Sequence, residues 1–414
     1  MPAERSSTHA DLLSGPVPFG PEAEPYQRPR AVRDGVLGGT VAAMRRFLVP
    51  SAFLALAACS ADPAPIDAGS DAGPPIDTGP RAAIVWSEAE PLPVELAHAY
   101  GVILSADAAR WLFVVGGASW SGGARGDTSA RVYRAEIGPD GALGPWQDAG
   151  LVGSAMGIPI SQHGILRLTG EDLRQGMAIA GGLTGSGGEV PVVLATYVDG
   201  EGALDRPYGR FPPMVAAGEG QWQSAFMPFD PHALALVGGL TDAGFTARVQ
   251  IAQIYLGVDV PTFVDGPPLP APRAAHSWAR RDRPGLNPDL YVVGGHNDGG
   301  STDDVLHTTR DAMDQVDGWE VVGTLTSAPH GHASAMLGDQ LYVIGGYVGD
   351  TLTDRVRRAG FAADGTLGRF ETLTDASLPA PLAHAAAVQD GATLYLVGGI
   401  EGDASTTRVL IGRL

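Results

Sequence analysis

Asp289-Leu290-Tyr291-Val292-Val293-Gly294-Gly295 is an apolar run closed by two glycines, and the chain repeats that phrase. Its relatives are Val114-Val115-Gly116-Gly117, Ile179-Ala180-Gly181-Gly182, Leu236-Val237-Gly238-Gly239, Val343-Ile344-Gly345-Gly346 and Leu396-Val397-Gly398-Gly399. The second glycines are spaced 65, 57, 56, 51 and 53 residues apart. Similarity at a period near fifty residues marks a propeller or a solenoid. A continuous apolar run suits a strand covered on both faces. The glycines supply permissive φ and let neighbouring backbone approach closely.

Around each phrase the same elements recur. A proline-rich lead with histidine comes first, as in Leu96-Ala97-His98-Ala99, Arg273-Ala274-Ala275-His276, His330-Gly331-His332-Ala333 and Leu382-Ala383-His384-Ala385. After the Gly-Gly strand comes a third strand marked by Arg131, Arg248, Arg355 or Arg408. A tight turn and an aromatic follow: Asp140-Gly141-Ala142-Leu143-Gly144-Pro145-Trp146 matches Asp364-Gly365-Thr366-Leu367-Gly368-Arg369-Phe370. Asp-Gly between apolar runs is a hairpin cue. Four antiparallel strands in each of six repeats predict an all-β, six-bladed propeller over residues 81–414. The last repeat lacks its fourth strand. Ile84-Val85-Trp86-Ser87 stands before the first lead as Phe263 stands before another, so this N-terminal strand is expected to complete the last blade.

These repeats resemble kelch repeats, as in galactose-oxidase-like propellers. The resemblance implies that the loops after Gly-Gly and the proline-rich leads share one rim used for binding. On that rim the candidate contacts are Trp120 and Arg125 of the longest loop and His296, Asn297 and Asp298 of the most polar one. Asp298, Asp303 and Asp304 make a weak Ca²⁺ candidate without the EF-hand pattern. The histidines His98, His276, His332 and His384 read as one structural hydrogen bond per repeat. The repeated arginines read as contacts between repeats.

Catalytic motifs are missing from the sequence: there is no P-loop, nucleophile elbow or zinc-protease helix. Galactose-oxidase relatives use copper with a tyrosine cross-linked to cysteine, and the lone cysteine lies far from the repeats, so no cofactor is expected. The reading is a non-enzymatic module that binds a protein or carbohydrate and is expected to be monomeric. The alternative is a periplasmic carbohydrate-active enzyme of sugar-mutarotase type, which needs only positioned acid–base groups.

Composition agrees with many turns: the chain has 58 glycines and 33 prolines. A net charge of −19 disfavours phosphate backbones, so no nucleic-acid partner is expected. One cysteine, Cys59, excludes a disulfide framework within the chain. It follows Met44-Arg45-Arg46 and an apolar run from Phe47 to Ala58, shorter than the roughly 20 residues that cross a bilayer. Leu56-Ala57-Ala58-Cys59 resembles the lipobox of bacterial lipoproteins. That resemblance implies a signal peptide over 44–58, lipidation of Cys59 and attachment to the bacterial cell envelope, at the outer membrane or periplasmic face. Residues 59–80, rich in Pro, Gly and Asp, read as a spacer. Residues 1–43 read as disordered or as a mis-called extension ahead of a start at Met44.

Overall fold

The computed structural model describes residues 83–107, 109–152, 158–169, 174–188, 193–204, 209–210, 221–230, 233–253, 263–310 and 316–414. Contacts divide the chain into Met1–Gly69 and Ser70–Leu414. The expected extension, signal peptide, Cys59 and spacer lie outside the described residues.

The described residues are all-β, built from many small antiparallel sheets. Six four-stranded sheets carry the Gly-Gly strands. The first contains Tyr100–Ala106, Ala109–Val115, Arg131–Glu136 and Gln147–Leu151. Four more follow in chain order, opening with Gly164–Thr169, Ala225–Asp230, Ser277–Arg281 and Ala333–Leu337. The sixth joins Ala386–Asp390, Thr393–Val397 and Val409–Arg413 to Val85–Glu88 from the other end of the chain. There Val85 pairs with Arg413 and Glu88 with Leu410. Ile84 is buried beside this strand, and the Trp86 indole donates to the Ala376 carbonyl at 2.8 Å. The pairing expected of the N-terminal strand is present.

Apolar clusters fill the spaces between successive sheets. Phe113 and Val115 of the first meet Met177 and Ile179 of the second. Tyr395 and Val397 of the sixth meet Leu112 and Val114 of the first. The alternation of each run therefore buries both faces, as continuous apolar strands require.

Two cycles of backbone hydrogen bonds link the sheets. In one, the second glycine of each sheet donates to the lead of the next: Gly117 to Ile160, Gly182 to Gln221, Gly239 to Arg273, Gly295 to Pro329, Gly346 to Leu382 and Gly399 to Leu96, at 2.7–3.0 Å. The sixth bond returns to the first sheet. In the other, Gln162 donates to His98, Gln223 to Gln162, Ala275 to Gln223, Gly331 to Ala275, His384 to Gly331 and His98 to His384, at 2.7–3.1 Å. All six residues of this second cycle have positive φ, between 49° and 62°.

The first cycle explains the Gly-Gly phrase. At Gly398, with φ of 64°, a Cβ would stand 2.2 Å from the Leu96 carbonyl oxygen of the neighbouring sheet. At Gly117 it would press on Ala99 of its own sheet at 2.9 Å. One glycine admits the neighbour and the other admits the sheet's own lead.

Candidate functional site

Beyond each Gly-Gly the chain turns through a short hairpin that bridges back to its own lead. Ala97 pairs with Ala118, Trp222 with Leu240, Ala274 with His296 and Ala383 with Ile400. In the fifth sheet His330 pairs with Tyr347. Leads and post-glycine hairpins thus share one end of the sheets. The first strands line a cavity of about 600 Å³ that reaches the positive-φ cycle at His98, Gln223, Ala275, Gly331 and His384. That volume suits a small ligand or an inserted side chain.

At this end an arc of rings crosses five sheets. Phe245 meets His296 edge-on at 5.0 Å between centroids. His296 meets His330 at 4.8 Å, and His330 stacks on Tyr347 at 5.4 Å. Tyr347 meets His384 at 5.9 Å, His384 meets His98 at 4.0 Å, and His98 meets Trp120 at 5.2 Å. Gly331 makes room for the arc, because a Cβ there would lie 2.5 Å from the His384 ring.

The imidazoles of the arc are held neutral. Burial pushes His98 down to about 4, helped by the charge of Arg125. Burial, then His296, pushes His330 down to about 4. Burial and the neighbouring imidazoles hold His384 well below the usual range. His296 is lowered by burial, partly offset by a hydrogen bond with Ala274. Each ring therefore offers one donor, one acceptor and a π face near neutral pH. His98, 5% exposed, leaves Nε2 without a hydrogen-bond partner at the cavity.

The histidines expected as one repeated position occupy two. His98 and His384 belong to the positive-φ cycle, whereas His276 and His332 follow that cycle by one residue, as His163 does. Those three are buried and pushed to about 3, chiefly by burial. Each ring lies against the first glycine of the preceding sheet: a Cβ on Gly116, Gly238 or Gly294 would come within 3.0–3.2 Å of it. They serve the junctions between sheets. Inside the cavity, Ser277 Oγ lies 2.7 Å from His332 Nε2 and 2.5 Å from Ser334 Oγ.

Of the residues chosen from sequence, Trp120 and Arg125 face each other across the hairpin of Ala118–Ser121 and Ala124–Thr128. The Trp120 amide donates to Ser405 Oγ of the sixth sheet's hairpin at 3.0 Å, and Arg125 reaches Ser161 Oγ at 3.4 Å. His296 joins the same arc as Trp120 but next to its far end at Phe245. Asn297 is held by Pro272 and Gly299, and Asp298 sits in an exposed turn. Both carboxylate oxygens of Asp304 accept from the buried guanidinium of Arg273, at 2.6 and 2.8 Å. Asp304 of the Ca²⁺ candidate is thus committed to Arg273, and no metal-holding cluster occurs among the described residues. Phe245, His330 and Tyr347 escaped the sequence reading. The signal lay in the position just after the second glycine, where His296 and Tyr347 break an otherwise aliphatic series.

The arginines differ too. Arg131 pairs with Asp148 at 2.6 Å and Arg248 with Asp265 at 2.7 Å, each within its own sheet. Arg408 pairs with Glu88 of the N-terminal strand and with Glu401. These three fasten third strands to fourth strands, or in the case of Glu401 to the hairpin of the same sheet, rather than sheet to sheet. Compared with known proteins, the chain matches no family model and no curated protein.

Proposed function

We propose that the chain is a lipid-anchored, six-bladed kelch-like propeller of the bacterial cell envelope. It binds a protein or carbohydrate ligand on its Gly-Gly end and catalyses no reaction. The six sheets and the two closed hydrogen-bond cycles support the propeller. The signal-peptide pattern and Cys59 support the anchor. The arc of rings, of which His98 and His384 also line the cavity, carries the binding reading, because half-buried aromatic faces give large contact area at little entropic cost.

The enzymatic alternative draws on Ser277 and His332. Against it, His332 is pushed to about 3, a poor base near neutrality. Among the described residues the cavity wall carries one carboxylate, Asp282, and Arg280 holds it at 2.8 Å.

The test is ligand capture on protein and glycan arrays, followed by titration of the hit. Trp120→Ala and Tyr347→Ala should each weaken binding about tenfold or more. Ser277→Ala should leave it unchanged. Full binding by both aromatic variants sinks the assignment.

A further inference from the structure

The hairpins that carry the arc also carry charge. Asp242, Asp298, Asp350 and Asp403 each fall in the exposed turn of a post-glycine hairpin, in the third to sixth sheets. Among the described residues, Asp298, Asp350 and Asp403 join no ion pair. Two nearby cations are neutralised, Arg273 by Asp304 and Arg408 by Glu88 and Glu401, while Arg125, on the hairpin of the first sheet, bonds the uncharged Ser161 hydroxyl. Several carboxylates elsewhere do have cationic partners. Asp390 is paired with Arg110 at 2.5 Å, Asp339 with Arg281 at 2.5 Å and Asp289 with Arg283 at 2.7 Å.

Three of those hairpins also carry a ring, Phe245, His296 and Tyr347, and ring faces attract cations through their quadrupoles. The imidazoles among them are neutral and do not oppose a positive guest. His98 Nε2, in the same arc, is buried and has no hydrogen-bond partner, a polar atom left unsatisfied beside the cavity. A net charge of −19 adds long-range attraction for the same sign of partner.

Resting on the binding reading above, we propose that this end takes a basic polypeptide segment, with Lys or Arg heads against the ring arc and the turn carboxylates. A basic segment satisfies both at once. A neutral ligand would use the rings and leave the carboxylates idle.

The experiment titrates fluorescent deca-lysine into the full chain in detergent, at low and at physiological salt. Binding should weaken as salt rises, since exposed pairs are screened over about 10 Å. The triple variant Asp298→Asn, Asp350→Asn, Asp403→Asn should weaken it about tenfold or more. A control triple away from the hairpins, Asp107→Asn, Glu136→Gln, Glu201→Gln, changes net charge equally and should stay within about twofold. No binding of deca-lysine, or equal loss in both triples, overturns the proposal. Maltohexaose serves as a neutral probe in parallel. If it binds and is lost in Trp120→Ala with Tyr347→Ala while deca-lysine fails, the binding end stands and its cationic preference falls. If that double variant keeps full affinity for whichever probe binds, the binding end itself falls.

Discussion

Two stretches that adjoin in the chain are built on opposite rules. The Gly-Gly pair is identical in all six sheets, is buried, and makes the same hydrogen bond to the next lead each time. The hairpin directly after it begins with Ala118, Leu183, Leu240, His296, Tyr347 or Ile400 and carries exposed turns. Where each copy must meet a neighbour of the same kind, one solution is repeated. Where copies meet solvent, they diverge, and the divergence gathers rings and carboxylates at one end. Architecture resides in what repeats, and recognition in what does not.

The largest test removes a junction outright. Deleting residues 83–87 strips the sixth sheet of its outer strand, its ladder with Val409–Arg413 and the buried Ile84. Losing a buried isoleucine costs about 2–5 kcal/mol, and each ladder hydrogen bond about 1 kcal/mol. A loss above about 5 kcal/mol in urea unfolding is expected, with aggregation through the bared edge. A deletion variant with the native midpoint would mean that the junction does not carry stability.

A finer test sets one glycine from each stretch against the other. Gly398 and Gly349 have nearly the same φ, 64° and 59°. An added Cβ meets the Leu96 oxygen at 2.2 Å in the first case and nothing within 4 Å in the second. Gly349→Ala should cost only the left-handed strain, about 1–2 kcal/mol. Gly398→Ala adds a clash with backbone that cannot swing aside, and should exceed about 3 kcal/mol. Equal costs would place the importance of the phrase in φ alone, not in the close approach of the next sheet.

That division also explains how much of the molecule was legible beforehand. The Gly-Gly strands, the Asp-Gly turns and the N-terminal strand were readable because local pattern and partner are coupled by repetition. Asp140 and Asp364, for instance, each accept from the amide two residues on, at 3.0 and 2.9 Å. The histidines misled because a one-residue offset in a strand lead reverses the side on which a ring emerges. His98 and His276 look alike in sequence and face different tasks. The arginines misled because a long side chain reaches diagonal neighbours on the adjacent strand: Arg131 lies opposite Leu151 and Asp148 opposite Tyr133, yet the guanidinium finds Asp148 before it can reach another sheet. The arc was invisible for a different reason: Phe245, Tyr347 and Trp120 become neighbours of one surface only after the sheets assemble.

The smallest effect concerns those two kinds of histidine. His276 lies at a junction and burial pushes it to about 3, while His296 sits half-buried in a hairpin and is lowered by burial. In the unfolded chain both titrate near 6.5. A folded-state value below the unfolded one means that the unfolded chain binds the proton first. The stability these neutral rings supply is therefore complete above about pH 6.5 and drains away as pH falls toward about 3. His276→Gln cannot take up that proton. Its urea midpoint should fall less than that of the native chain between about pH 7 and about pH 5. His296→Gln should track the native slope more closely, because its ring retains contact with water. Carboxylate titration is common to all three proteins and cancels from the comparison. Identical slopes in all three would show that burial at the junction does not hold the His276 ring neutral, and would erase the distinction between the two histidine positions.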